Sequence, residues 1–123
     1  MNSFKMGKDE FGIGQHECEI KDCKLYLKIY GDKKVFNDLC EDEDSEWGWA
    51  LEAPYLYMQG VPIQKNKKLK LKESLLDICD FAVYMMEHNE ITGTIVVTDQ
   101  VFELDGTVDI MGDVYPICVH MDL

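Results

Sequence analysis

The sequence predicts a single α+β domain in which an antiparallel sheet packs against one main amphipathic helix. Three stretches carry that expectation. Apolar residues recur with a helical period over 71–89, alternate strictly over 24–30, and follow a period of two beyond Gly93. A chain of 123 residues is one domain's worth. At this size roughly two-thirds of the surface exposed by the unfolded chain can be buried, which is enough for a real core.

Taken in order, residues 1–15 contain Gly7, Gly12 and Gly14 and little periodicity. They read as a frayed start with a short strand around 11–13. Residues 16–20 read as a strand, with Lys21-Asp22 near the turn that leads into 24–30. In that second strand Leu25, Leu27 and Ile29 face one way, and Lys24, Tyr26, Lys28 and Tyr30 the other. Gly31-Asp32 closes the segment, and 33–39 fit a helical turn or two with Val35, Phe36 and Leu39 inward. Pro54 and Pro62 argue against a long helix in the apolar, aromatic stretch that follows. Short extended pieces with a turn at Gln59-Gly60 are expected there. Residues 68–71 alternate and fit a short edge strand, because exposed lysines guard an open edge.

The helix expected at the centre of the fold spans 71–89. At about 100° per residue, Leu75, Ile78, Cys79, Ala82, Val83, Met85 and Met86 form one apolar arc. Glu73, Asp77, Asp80, Tyr84, Glu87 and His88 gather opposite. Ser74 is the natural cap, with Asp77 three residues on, and Asn89 and Gly93 are stop signals. Beyond it, 94–98 reads as a strand, and 101–104 and 107–110 flank Asp105-Gly106, a dipeptide that favours a two-residue hairpin. Residues 114–121 fit a last strand, in which Pro116 favours an edge or a bulge.

Charge narrows the function classes. The net charge is −12, from 24 acids against 12 basic residues, and every basic residue is lysine. Such a field repels nucleic acid and anionic membranes. Without arginine there is no bidentate fork for phosphate or base edges. No apolar run approaches the about 20 residues of a membrane span. Residues 1–10 mix Lys5 and Lys8 with Asp9 and Glu10 and lack the apolar segment of a secretory signal. An odd set of five cysteines, Cys18, Cys23, Cys40, Cys79 and Cys118, then reads as reduced thiols in a cytoplasmic protein.

Arrangements that carry chemistry do not assemble. His16, Cys18 and Cys23, with Cys40 at a distance, lack the paired knuckles of a structural zinc site and read as a chance cluster. The acids around Asp105-Gly106 fail the calcium-loop pattern in both registers, since glycine and the first acid never fall into place together. His16, His88 and His120 have no nucleophile signature around them, and no glycine-rich phosphate loop is present. No catalytic residue, metal or cofactor is therefore assigned. A small cytosolic enzyme or metal-binding accessory protein is the alternative reading.

The positive signal is a run of acids that ends in both tryptophans of the chain: Glu41, Asp42, Glu43, Asp44 and Glu46, then Trp47 and Trp49. An acidic patch steers a basic partner into contact, and aromatic anchors supply binding energy once it arrives. The tryptophans also fit a core role, and one buried indole with one at the rim satisfies both readings. In size, acidity, cytosolic design and α+β character the chain resembles the small acidic immunity proteins of polymorphic and contact-dependent bacterial toxin systems. That resemblance implies a cognate toxin domain as partner, often a basic nuclease, bound and blocked. Glu41, Asp42, Glu43, Asp44, Glu46, Trp47 and Trp49 are the expected contact residues.

Overall fold

Alternation along the chain dictates most of what forms. In the computed structural model, which describes residues 2–41, 53–71, 80–83, 86–87, 90–110 and 112–123, most of the described residues lie in strands. They are β1 (Ser3–Met6), β2 (Asp9–Glu10), β3 (His16–Lys21), β4 (Lys24–Tyr30), β5 (Tyr55–Pro62), β6 (Leu69–Leu71), β7 (Asp80–Val83), β8 (Met86–Glu87), β9 (Glu90–Val97), β10 (Val101–Ile110) and β11 (Asp113–Asp122). Among the described residues the single helix is α1 (Lys33–Cys40), between β4 and β5. One sheet has the order β2-β1-β11-β10-β9-β6 and the other β3-β4-β5-β7-β8. Every pairing is antiparallel.

The apolar faces of the two sheets meet in one core. Leu25, Leu27, Ile29, Leu56 and Met58 come from the five-stranded sheet. Phe4, Met6, Ile95, Phe102, Leu104, Ile117, Val119 and Met121 come from the six-stranded one. Along β4 the leucines and Ile29 are fully buried while Lys24 and Tyr30 are exposed, as the sequence predicts. The β3–β4 hairpin turns at Asp22 and Cys23, whose φ values of 53° and 60° are those of the mirror-image two-residue turn.

α1 is also where the sequence puts it. Asp32 caps it, its carboxylate accepting from the backbone N–H groups of Lys34 (2.9 Å) and Val35 (3.1 Å). Phe36 is the buried residue of the helix and stacks toward Phe11, which in turn meets Phe4 edge-on. This aromatic chain joins α1 to the core.

Four expectations need correction. First, the coarse class holds, mostly antiparallel sheet with a helix, but the helix is the eight-residue α1 and not a main amphipathic helix over 71–89. Residues 80–83 and 86–87 are the strands β7 and β8 of one hairpin, with Val83 paired to Met86 and Ala82 to Glu87. Their pairing with β5, Leu56 opposite Val83 and Met58 opposite Phe81, satisfies backbone groups that β5 would otherwise leave open. The rest of that stretch, 72–79, lies outside the described residues, as do 84–85 and 88–89.

Second, Asp105-Gly106 is not a turn. It lies in the middle of β10, and the reversal falls after Ile110, which pairs with Asp113. Third, Gln59-Gly60 is a bulge and not a turn. The register shifts by one residue where Leu25 opposes Val61 and Tyr26 opposes Gln59. Gly60 is the extra residue, at φ 82°. Fourth, the N-terminus is not frayed: β1 pairs with β11, and β2 with β1.

Pro116 sits within β11, a strand paired on both sides. The position tolerates proline because β1 ends opposite Ile117 and turns at Gly7, whose N–H donates to the Pro116 carbonyl at 2.8 Å. In a strand the nitrogen and carbonyl of one residue point to the same side, so the missing N–H faces the place where β1 stops. Among the described residues no helix is long and apolar enough to cross a membrane.

Candidate functional site

Of the residues expected to contact a partner, Glu41 follows α1 as its C-terminal cap and is exposed. Asp42, Glu43, Asp44, Glu46, Trp47 and Trp49 lie outside the described residues. Glu41 nevertheless marks an oddity. The first turn of α1 carries no acid and its last turn no base. Lys33 and Lys34 sit at the positive end of the helix dipole, and Asp38 and Glu41 lie toward the negative end. Each such placement costs about 0.3–1 kcal/mol at an exposed site. Helix stability therefore does not explain these charges.

A second acidic surface comes from the sheet register. On the outer face of the six-stranded sheet, Glu103 and Asp105 are successive outward residues of β10, both exposed. Glu103 lies between Val96 of β9 and His120 of β11, and Asp105 between Thr94 and Cys118. His120 bridges two carboxylates, with Nδ1 3.1 Å from Glu103 Oε1 and Nε2 3.4 Å from Asp122 Oδ1. Lys5 and Lys70 share the row of Asp105 but lie two strands away on either side. At about 4.8 Å per strand that is too far for an ion pair across the sheet. Asp109 has a structural duty, because its carboxylate accepts from Gly112 N–H at 2.9 Å and braces the β10–β11 turn.

A recess lies elsewhere, between α1 and the β4–β5 pair, with a volume of about 1010 Å³. Its floor is two cross-strand pairs, Lys28 opposite Tyr57 and Tyr30 opposite Tyr55. The Lys28 Nζ stands 5.6 Å from the centre of the Tyr57 ring, and the Tyr30 and Tyr55 rings are 6.3 Å apart. Lys33, Phe36 and Asn37 of α1 form one wall, and Gly14 and Gln15 border the cleft as well. The sequence shows the outward Lys28 and Tyr30, but only strand pairing brings Tyr55 and Tyr57 beside them.

Among the described residues the cysteines and histidines do not converge, and Cys79 lies outside them. Cys18 and Cys40 are half-buried against the core, whereas Cys23 and Cys118 are exposed. Burial pushes the Cys18 thiol above its ordinary range. His16 is exposed on β3, and His88 lies outside the described residues. Among the described residues no three His, Cys, Asp or Glu side chains gather closely enough to hold a metal ion. Comparison with known proteins finds no matching family model, no matching curated protein and no matching solved structure.

Proposed function

We propose that this chain is an immunity-type inhibitor, a cytosolic protein that binds a positively charged toxin domain, of nuclease type, and blocks it. The observation that carries this reading is the charge: 24 acids against 12 lysines, with no arginine. Acids cluster in the run from Glu41 to Glu46, beside Trp47 and Trp49. The run begins at the end of α1 where the helix dipole disfavours it, which supports a role beyond local stability. Capture starts with steering by the acidic field and ends with an aromatic anchor seated in the partner. Glu103 and Asp105 offer a second acidic contact surface.

The test is co-expression with a basic toxin domain encoded beside this gene. Restored growth and a stoichiometric complex are expected. Continued toxicity with both proteins present, or a neighbourhood that encodes only metabolic enzymes, would overturn the reading.

A further inference from the structure

We propose that the cleft between α1 and the β4–β5 pair binds a small planar organic anion, a ring bearing a phosphate or carboxylate. This goes beyond the inhibitor reading and does not depend on it. The first ground is charge. The chain carries two acids for every lysine, yet among the described residues lining the cleft the charged ones are Lys28 and Lys33, and none is a carboxylate. Among the described acids, Asp32 is committed to capping α1, and Glu17 is the cross-strand neighbour of Lys28 on the β3 side, with Tyr57 on the other side. Among the described residues neither Lys28 nor Lys33 has a carboxylate partner.

The second ground is that Lys33 sits where its own helix disfavours a cation. At the N-terminus of α1 a lysine opposes the dipole, and an acid there would favour the helix. An anionic ligand in the cleft would reverse that account. It would meet both ammonium groups.

The third ground is shape. Tyr30, Tyr55 and Tyr57 present aromatic surface along the floor, with Phe36 beneath one wall. Aromatic faces accept planar rings, and Gln15 and Asn37 supply amide donors and acceptors at the rim. The volume suits an organic molecule of nucleotide size rather than a bare ion.

The backbone around the cleft is also fixed in advance. Gly14 N–H donates to the Tyr30 carbonyl at 2.8 Å, and Tyr30 N–H to the Gln15 carbonyl at 3.0 Å. Gly31 N–H donates to the Pro54 carbonyl at 2.9 Å. A Cβ at Gly31 would come within 3.2 Å of both Phe11 Cβ and the Pro54 carbonyl oxygen, so the backbone at Gly31 is tightly packed. A site preformed in this way spends little of its binding energy on ordering itself.

The experiment is an NMR titration of the full ¹⁵N-labelled chain with four probes. Adenosine monophosphate and 4-hydroxybenzoate each combine ring and charge, adenosine is a ring without charge, and inorganic phosphate is charge without a ring. Saturable shifts of the Gly14, Gly31, Lys33 and Asn37 amides are expected with at least one of the first two, at or below about 1 mM. Which of the two binds distinguishes a phosphate from a carboxylate ligand. Adenosine and phosphate should each bind at least about tenfold more weakly. Lys28→Gln with Lys33→Gln should weaken binding by about tenfold or more, and Tyr57→Leu should weaken it while the rest of the spectrum stays unchanged. No cleft shift with either combined probe would overturn the proposal. Equal binding of phosphate alone, or binding that survives the double lysine variant, would overturn it as well.

Discussion

Gly93 and Gly106 face each other across β9 and β10, and neither position has room for a methyl group. A Cβ on Gly106 would lie 2.8 Å from Gly93 Cα and strike the Thr92 carbonyl oxygen. A Cβ on Gly93 would lie 2.6 Å from Gly106 Cα, and Gly93 also holds φ at 140°, where side chains are strained. The two strands approach so closely here because both residues lack side chains. Gly106→Ala should therefore cost about 2–4 kcal/mol, since the strands must separate or shift register. Urea unfolding measures it, and a loss below about 0.5 kcal/mol would show that the approach relaxes freely.

α1 offers a contrast between a cap that works and charges that do not. Asp32→Ala removes the acceptor for two N–H groups and should cost about 1 kcal/mol. Lys34→Glu puts an acid into the first turn, on an exposed residue that does not line the cleft. It should gain about 0.3–1 kcal/mol at low salt, and the gain should shrink as salt rises. Thermal unfolding at two ionic strengths checks both changes.

Lys65 Nζ lies 2.8 Å from Asp99 Oδ1, between the chain entering β6 and the β9–β10 turn. The hydrogen bond from Lys65, and then its charge, hold the Asp99 carboxyl below its ordinary range. A depressed folded value means that the stabilisation is present above the unfolded carboxylate pKa and is lost as pH falls through the folded one. A carboxyl ¹³C titration should place Asp99 below ordinary aspartates, and Lys65→Gln should move its midpoint upward. An unmoved midpoint would show that the pair does not persist in solution.

Local alternation made much of the fold legible. β4 was readable because Leu25, Leu27 and Ile29 alternate with Lys24, Tyr26, Lys28 and Tyr30, and both the pattern and the burial have a period of two. α1 was readable because Val35, Phe36 and Leu39 recur at helical spacing, and Phe36 is the one that is buried. The 71–89 stretch misled for a physical reason. Its many apolar residues fill a wide arc at almost any period, and a short apolar run does not separate helix from strand. Phe81 was the sign against a helix. It lies four residues after Asp77 and three before Tyr84, on the side assigned to polar residues. In β7 it pairs opposite Met58, a strand pairing with distant chain that is invisible to a local window. Asp105-Gly106 misled in the same way, because glycine serves a close backbone approach as well as a turn. The cleft was legible only in part. Tyr55 and Tyr57 reach Tyr30 and Lys28 through the β4–β5 register, which no local pattern encodes.

The inhibitor reading makes a kinetic prediction that separates steering from anchoring. If the acidic field guides capture, association with the basic partner should slow steeply with salt, because the Debye length falls from about 10 Å at 0.1 M to about 3 Å at 1 M. Neutralising Glu41, Asp42, Glu43 and Asp44 together should slow association by about tenfold while changing dissociation little. Trp47→Ala or Trp49→Ala, whichever indole is the anchor, should raise the dissociation rate and leave association nearly unchanged. Glu103→Gln with Asp105→Asn probes the sheet face by the same measurement, and its effect on association decides which acidic surface meets the partner. The sheet pair also has an internal control. Glu103 contacts His120, so Glu103→Gln alone should move the His120 ring resonances whether or not this face binds anything. If the quadruple variant associates at the wild-type rate and the sheet variant is slowed, the contact lies on β10. If both associate as wild type at low salt, the acids serve solubility and the proposal of electrostatic capture fails.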